Sequence, residues 1–121
     1  MYGATSWFRM TGGTSNPRQE GRFIIGAGGL NFTTPGNNAN TFFDICKGNV
    51  RLYPKADYSI EPNPNRKAIG DVVIEPWSAT VPTELEISTT DYYTAEPRTV
   101  TFNAKLFRYG SNLAYFTISG N

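Results

Sequence analysis

From residue 99 to residue 106 every second side chain is apolar: Val100, Phe102, Ala104 and Leu106 alternate with Thr99, Thr101, Asn103 and Lys105. A period of two sends successive side chains to opposite faces of an extended backbone, so this stretch predicts a strand with one buried face. Arg108-Tyr109-Gly110-Ser111-Asn112 then supplies turn chemistry, with Gly110 free to take positive φ. Residues 113–118 return as a second run of aromatic and β-branched residues. Together they predict a closing hairpin in which Phe102 and Leu106 are buried and Thr101 and Lys105 face outward. A two-stranded ribbon is marginal in water, so this hairpin needs the rest of the chain as a sheet partner.

The same signal recurs upstream. Residues 22–25, 41–46, 49–53, 56–60, 71–79 and 83–88 all read as strands, with Leu85 and Ile87 alternating against Glu84 and Glu86. Lys47-Gly48, between two of these runs, predicts a tight hairpin. Pro76 implies an edge, a bulge or a break in its strand. No segment carries sustained 3.6-residue periodicity with caps, and no internal repeat or second domain is visible. About eight short strands with Gly, Pro and Asn turns point to an all-β fold, a single antiparallel β-sandwich or barrel, a jelly roll being one form of it. The expected division is an irregular N-terminal arm, residues 1–20, and a β-domain, residues 21–121.

The chain has 121 residues, which is one domain by size and enough to bury roughly two thirds of its unfolded surface. Eight Phe, seven Tyr and two Trp supply large apolar groups for that core. Eleven basic residues against ten acidic give a net charge of +1, so no strong phosphate-binding field is expected and nucleic acid is excluded as a main partner. The N-terminus lacks the basic and apolar regions of a signal peptide, and no apolar run approaches the ~20 residues of a membrane span. The expectation is a soluble chain made in the cytoplasm, with no membrane partner.

Chemistry-bearing motifs are few. Gly26-Ala27-Gly28-Gly29 has the glycines of a phosphate loop, but the chain continues as Leu30-Asn31-Phe32-Thr33-Thr34-Pro35 instead of a helix N-terminus, so structural glycines are expected. With no His and the single Cys46, neither a Ser-His-Asp or Cys-His mechanism nor the usual zinc ligand sets can be assembled in one chain. Cys46 reads as a small core residue. Glu84 and Glu86 are the paired acids of a glycosidase in kind, yet two residues apart on one strand they read as facing solvent together. No cofactor, metal or catalytic residue is expected, and the chain reads as not an enzyme.

Two binding roles remain. Trp7, Phe8 and Met10 precede Thr11-Gly12-Gly13, and aromatic anchors ahead of an irregular segment suit an arm docking on another subunit. Arg66 and Lys67 tip the Pro-rich loop that starts at Glu61-Pro62-Asn63-Pro64 and complete the candidate interface. In character, though in no motif, the chain is similar to small phage virion proteins such as capsid cement proteins or tail components. That likeness implies a structural subunit partnered by copies of itself or by a larger shell or tube, resident in a virion or comparable assembly. The alternative is a carbohydrate-binding β-sandwich module whose Trp77, Tyr92 and Tyr93 stack on sugar rings. An oligonucleotide-binding barrel fits less well, for want of a basic groove.

Overall fold

The computed structural model describes residues 5–10, 20–32, 40–64 and 70–120, with the backbone alone described at 5–10, 20 and 40–42. They form eleven strands and no helix: β1 Thr5–Met10, β2 Glu20–Ile25, β3 Leu30–Asn31, β4 Asn40–Ile45, β5 Asn49–Pro54, β6 Tyr58–Glu61, β7 Val72–Ile74, β8 Thr83–Ser88, β9 Val100–Phe102, β10 Leu106–Arg108 and β11 Ala114–Ser119. The all-β class holds, but the antiparallel sandwich or barrel does not. Every strand pairs in parallel. Three sheets have the orders β1-β4-β7-β10 (sheet A), β11-β8-β5-β2 (sheet B) and β3-β6-β9 (sheet C). The chain therefore visits A, B and C in turn and then returns to A one strand further along. The result is a three-sided β-solenoid.

Both expected hairpins fail for the same reason. β4 and β5, joined by Lys47-Gly48, lie in different sheets, and β9, β10 and β11 lie one in each of three. Gly48 has φ +69, which turns the chain around a corner from sheet A into sheet B rather than back on itself. Parallel neighbours require a long crossover between them, and each circuit of the other two sides supplies it. The closing alternation of residues 99–106 is thus a strand, a corner at Asn103-Ala104-Lys105 and a second strand. Phe102 is half-buried and Leu106 exposed, against the expectation that both are buried, while Thr101 and Lys105 are exposed.

Register explains the core. One column on sheet B runs Gly21, Val50, Leu85, Phe116, and the next runs Phe23, Leu52, Ile87, Ile118. On sheet A, Phe43, Val72 and Leu106 stand in line, and on sheet C, Leu30, Ile60 and Phe102. Val50, Leu52, Leu85, Ile87, Phe43, Val72 and Ile60, the members with a coil on either side, are buried. Continuous stacking of like residues fills the interior from three directions.

Corners carry the remaining constraints. Asp71 is fully buried, and its carboxylate accepts the backbone amides of Asn63 (3.1 Å) and Lys105 (3.3 Å), tying the turn before β7 to the corner before β10. β7 ends at Ile74, so Pro76 stands at a break, one of the three outcomes its presence implies. Of the glycines at 26–29, Gly29 is structural: its amide donates to the Gly26 carbonyl at 3.0 Å, and it has φ +67. A Cβ on Gly29 would fall on the Ser59 carbonyl oxygen, whereas one on Gly26 meets open space.

That contrast gives a paired test. Gly29→Ala should cost about 1–3 kcal/mol, from the left-handed backbone alone, plus whatever the clash with Ser59 adds. Gly26→Ala should be neutral or slightly stabilising. Urea unfolding of the two variants measures both, and equal midpoints would show that Gly29 does not hold this corner.

Candidate functional site

Among the described residues the solenoid ends on an uncovered coil. β10 and β11 are the last strands of sheets A and B, with no further strand beyond them among the described residues. Each column therefore ends on a side chain with a neighbour on one side alone. Ile118 is 68% exposed although Ile87 beneath it is buried; Phe116 is 38% exposed above buried Leu85, and Leu106 is 40% exposed above buried Val72. Phe102 packs edge-on against Phe116 with ring centroids 5.7 Å apart, so the exposed rim is continuous from sheet C to sheet B. Leu113 adds a further exposed apolar side chain at the A–B corner.

Among the described residues this rim also has a backbone edge with no strand paired to it. β11 reads Ala-Tyr-Phe-Thr-Ile-Ser, six residues without a charge or a proline. Edge strands of stable monomers are normally blunted by lysine, proline or a bulge. Arg108, the one charged residue on β10, ends the inward column Ile45, Ile74 and donates to the carbonyls of Gly110 (3.0 Å) and Asn112, so the rim carries one charge on sheet A. Sequence reasoning missed this rim because alternation marks Phe116 and Ile118 as inward without saying whether anything lies above them. The uncharged run 113–119 was the available signal.

At the opposite end, β1, β2 and β3 are the outermost strands among the described residues. Behind them lies an apolar cavity of about 340 Å³ lined by Phe23, Ile25, Leu30, Phe32, Phe43 and Leu52. The irregular N-terminal arm does not hold over its described residues: Trp7, Phe8 and Met10 belong to β1, a regular strand that pairs with β4 through Trp7–Phe42 and Phe8–Phe43, and Glu20 opens β2; the side chains of β1 lie outside the described residues. Arg66 and Lys67 lie outside the described residues altogether.

The aromatic candidates are split between corners. Trp77 is exposed beyond β7, with the Lys47 ammonium 5.9 Å from its ring centre. Tyr92 and Tyr93 sit in the loop after β8, where Tyr53, Tyr92 and Tyr93 make successive edge-on contacts, each with centroids 5.1 Å apart. Sheet B lies between the two groups, so the three rings do not form one platform. The tyrosine loop is firmly built: Asp91 Oδ1 accepts the amides of Tyr93 (2.8 Å) and Thr94 (2.9 Å), and Oδ2 accepts from Arg98 Nε at 2.8 Å. Ala95, at φ +62, is held in the left-handed region by the same turn, its amide donating to the Asp91 carbonyl.

Glu84 and Glu86 occupy the outer face of β8 but are not simply solvated. Glu86 is buried and paired with Arg51; Glu84 accepts from Asn49 Nδ2 and, at 2.8 Å, from Thr117 Oγ1. Burial pushes the Glu86 carboxyl up, but hydrogen bonds from Ser119 and Arg51 and the Arg51 charge outweigh it, and the net shift is downward. Both acids serve as cross-strand ties in the ladder β5-β8-β11. Cys46 is fully buried. Among the described residues no group of three His, Cys, Asp or Glu could hold a metal, and no helix is long and apolar enough to cross a membrane. No protein-family model matches the chain, and neither a curated protein nor a solved structure is similar to it.

The Asp91 turn yields a pH prediction. Hydrogen bonds from the Thr94 amide, then from Arg98 and the Tyr93 amide, with the Arg98 charge, hold its carboxyl at about 2 against an ordinary 3.8, overcoming the opposing effect of burial. A depressed carboxyl stabilises the folded loop above its unfolded pKa and loses that contribution as pH falls through the folded one. The Tyr93 and Thr94 amide resonances should therefore move with a midpoint near pH 2 rather than near 3.8. Movement centred at 3.8 or above would mean that Asp91 does not cap this loop.

Proposed function

We propose that the chain is a non-enzymatic structural subunit of a multi-subunit assembly, joined to its neighbours through the open rim of the last coil. The observation that carries this reading is the row Leu106, Phe116 and Ile118, inward by register yet exposed, beside an uncharged edge strand. Apolar area of this kind is worth roughly 25 cal/mol for each Å² removed from water, and a strand edge adds backbone hydrogen bonds to whatever covers it. In its finer form the proposal is a virion protein, such as a phage capsid cement or tail component, lodged in a shell or tube. Support for that form is the near-neutral charge, the Thr- and Asn-rich surface and the stacking architecture, which suits end-on packing. Partners are then copies of the chain or other shell proteins.

A second reading, a carbohydrate-binding module, is favoured by the rigid Tyr92-Tyr93 loop and by a polar cleft of about 490 Å³ on sheet C, lined by Asp57, Ser59, Glu61, Thr99 and Thr101. Hydroxyls and carboxylates suit a neutral sugar, and tyrosine faces suit its C–H side. Trp77 stands apart from this surface. The rim is the stronger signal, because exposed core residues carry a free-energy cost that a polar cleft does not.

Sedimentation velocity tests the assembly reading. The wild-type chain should sediment above the monomer and shift with concentration, and Ile118→Lys should return it to the monomer. Because Ile118 is 68% exposed, that variant should keep the wild-type circular dichroism. A wild type that stays monomeric at high micromolar concentration, and binds oligosaccharides, would transfer the case to the second reading.

A further inference from the structure

We infer that the open rim is filled by the first coil of a second copy, joined head to tail so that β11 of one molecule pairs in parallel with β2 of the next. This rests on the assembly reading and adds the identity, polarity and register of the contact.

Both ends of the solenoid belong to the same three-sided lattice, and in every sheet the strands run in one direction. Continuing the sheet B ladder by one rung brings the column back to its own start. Phe116 then faces Gly21 of the next copy, and Ile118 faces its Phe23. The side chains complement one another: a phenyl ring that protrudes at one end meets a residue with no side chain at the other. The apolar rim meets the coil that encloses the cavity lined by Phe23, Leu30 and Phe43.

Charge agrees. Along the outer face of sheet B the column runs Arg22, Arg51, Glu86, Thr117, so the next rung sets neutral Thr117 beside Arg22 and brings no like charges together. On sheet A β10 meets β1, which sets Leu106 beside Phe8, Phe107 beside Arg9 and Arg108 beside Met10. Sheet C is one strand shorter, so sheets A and B carry the contact. Pairing of two β11 edges about a two-fold axis would instead reverse the strand direction, introducing the antiparallel ladder that is found in none of the three sheets. Head-to-tail contacts do not close unless a rotation brings them round, so the product is a stack or tube rather than a discrete dimer.

Cysteine cross-linking reads the polarity directly. Thr117 and Arg22 lie on the outer face, where substitution spares the core, and neighbouring strands stand within disulfide reach. The native Cys46 is buried. Thr117→Cys and Arg22→Cys chains, mixed under mild oxidation, should give the mixed disulfide dimer as the main product, and the doubly substituted chain should give a ladder of multimers. Adding Ile118→Lys to the Thr117→Cys chain should abolish the mixed product. Thr117→Cys chains that cross-link mainly to themselves, or a wild type that associates while the mixed disulfide never forms, would overturn the head-to-tail contact and leave the assembly reading standing. A wild type that does not associate at all would overturn both.

Discussion

The structure depends on one repeated contact: an inward apolar side chain covered by the equivalent side chain of the next coil. Val50 is buried by Leu85, and Leu85 by Phe116; Phe43 is covered by Val72, and Val72 by Leu106. No strand here closes its own core, since each relies on a neighbouring coil, and those in the middle on one to either side. Burial is therefore a property of position in the stack and not of the residue. Leu and Ile in the middle are sealed, and the same residue types in the last coil face water.

Corners and outer ladders act in service of that stacking. A stack of parallel strands needs its turns held at a fixed angle, and buried polar groups do this: Asp71 accepts two corner amides, and Thr83 Oγ1 donates to the Cys46 carbonyl at 3.2 Å. On the outside of sheet B, Arg51 and Glu86 tie β5 to β8, and Thr117 and Glu84 tie β8 to β11. These ties lock register, which matters because a slip of one residue would turn every inward side chain outward. The acids that resemble catalytic groups in the sequence are used up in this way. Among the described residues the rim, the tyrosine loop and the sheet C cleft remain exposed, and the rim carries the larger energetic penalty for remaining bare.

Much of the strand content is legible in the residues. Alternation marks residues 83–88 with the observed bounds, and residues 49–53, 41–46 and 22–25 with bounds within two residues of β5, β4 and β2. The break at Pro76 and the structural use of Gly29 also come from local chemistry. β3, two residues long, and β10, three, are too short to show a period of two. The rim is legible only in part: the inward faces of Phe116 and Ile118 come from the pattern, their exposure does not.

By itself, then, the sequence determined most of the extended segments, though not β1 within the stretch read as an irregular arm, which side of most of them is apolar, and where glycine and proline bend or end them, because those choices are settled by φ preferences and by the side-chain period of a single strand. Only the tertiary structure decided which strands are neighbours. A parallel and an antiparallel ladder place the same alternation on the same two faces, so Lys47-Gly48 reads equally as a hairpin turn or as a corner. The choice rests on contacts between residues far apart in the chain, such as Val50 with Leu85 and Leu85 with Phe116, whose mutual burial stabilises a coil that no single turn specifies.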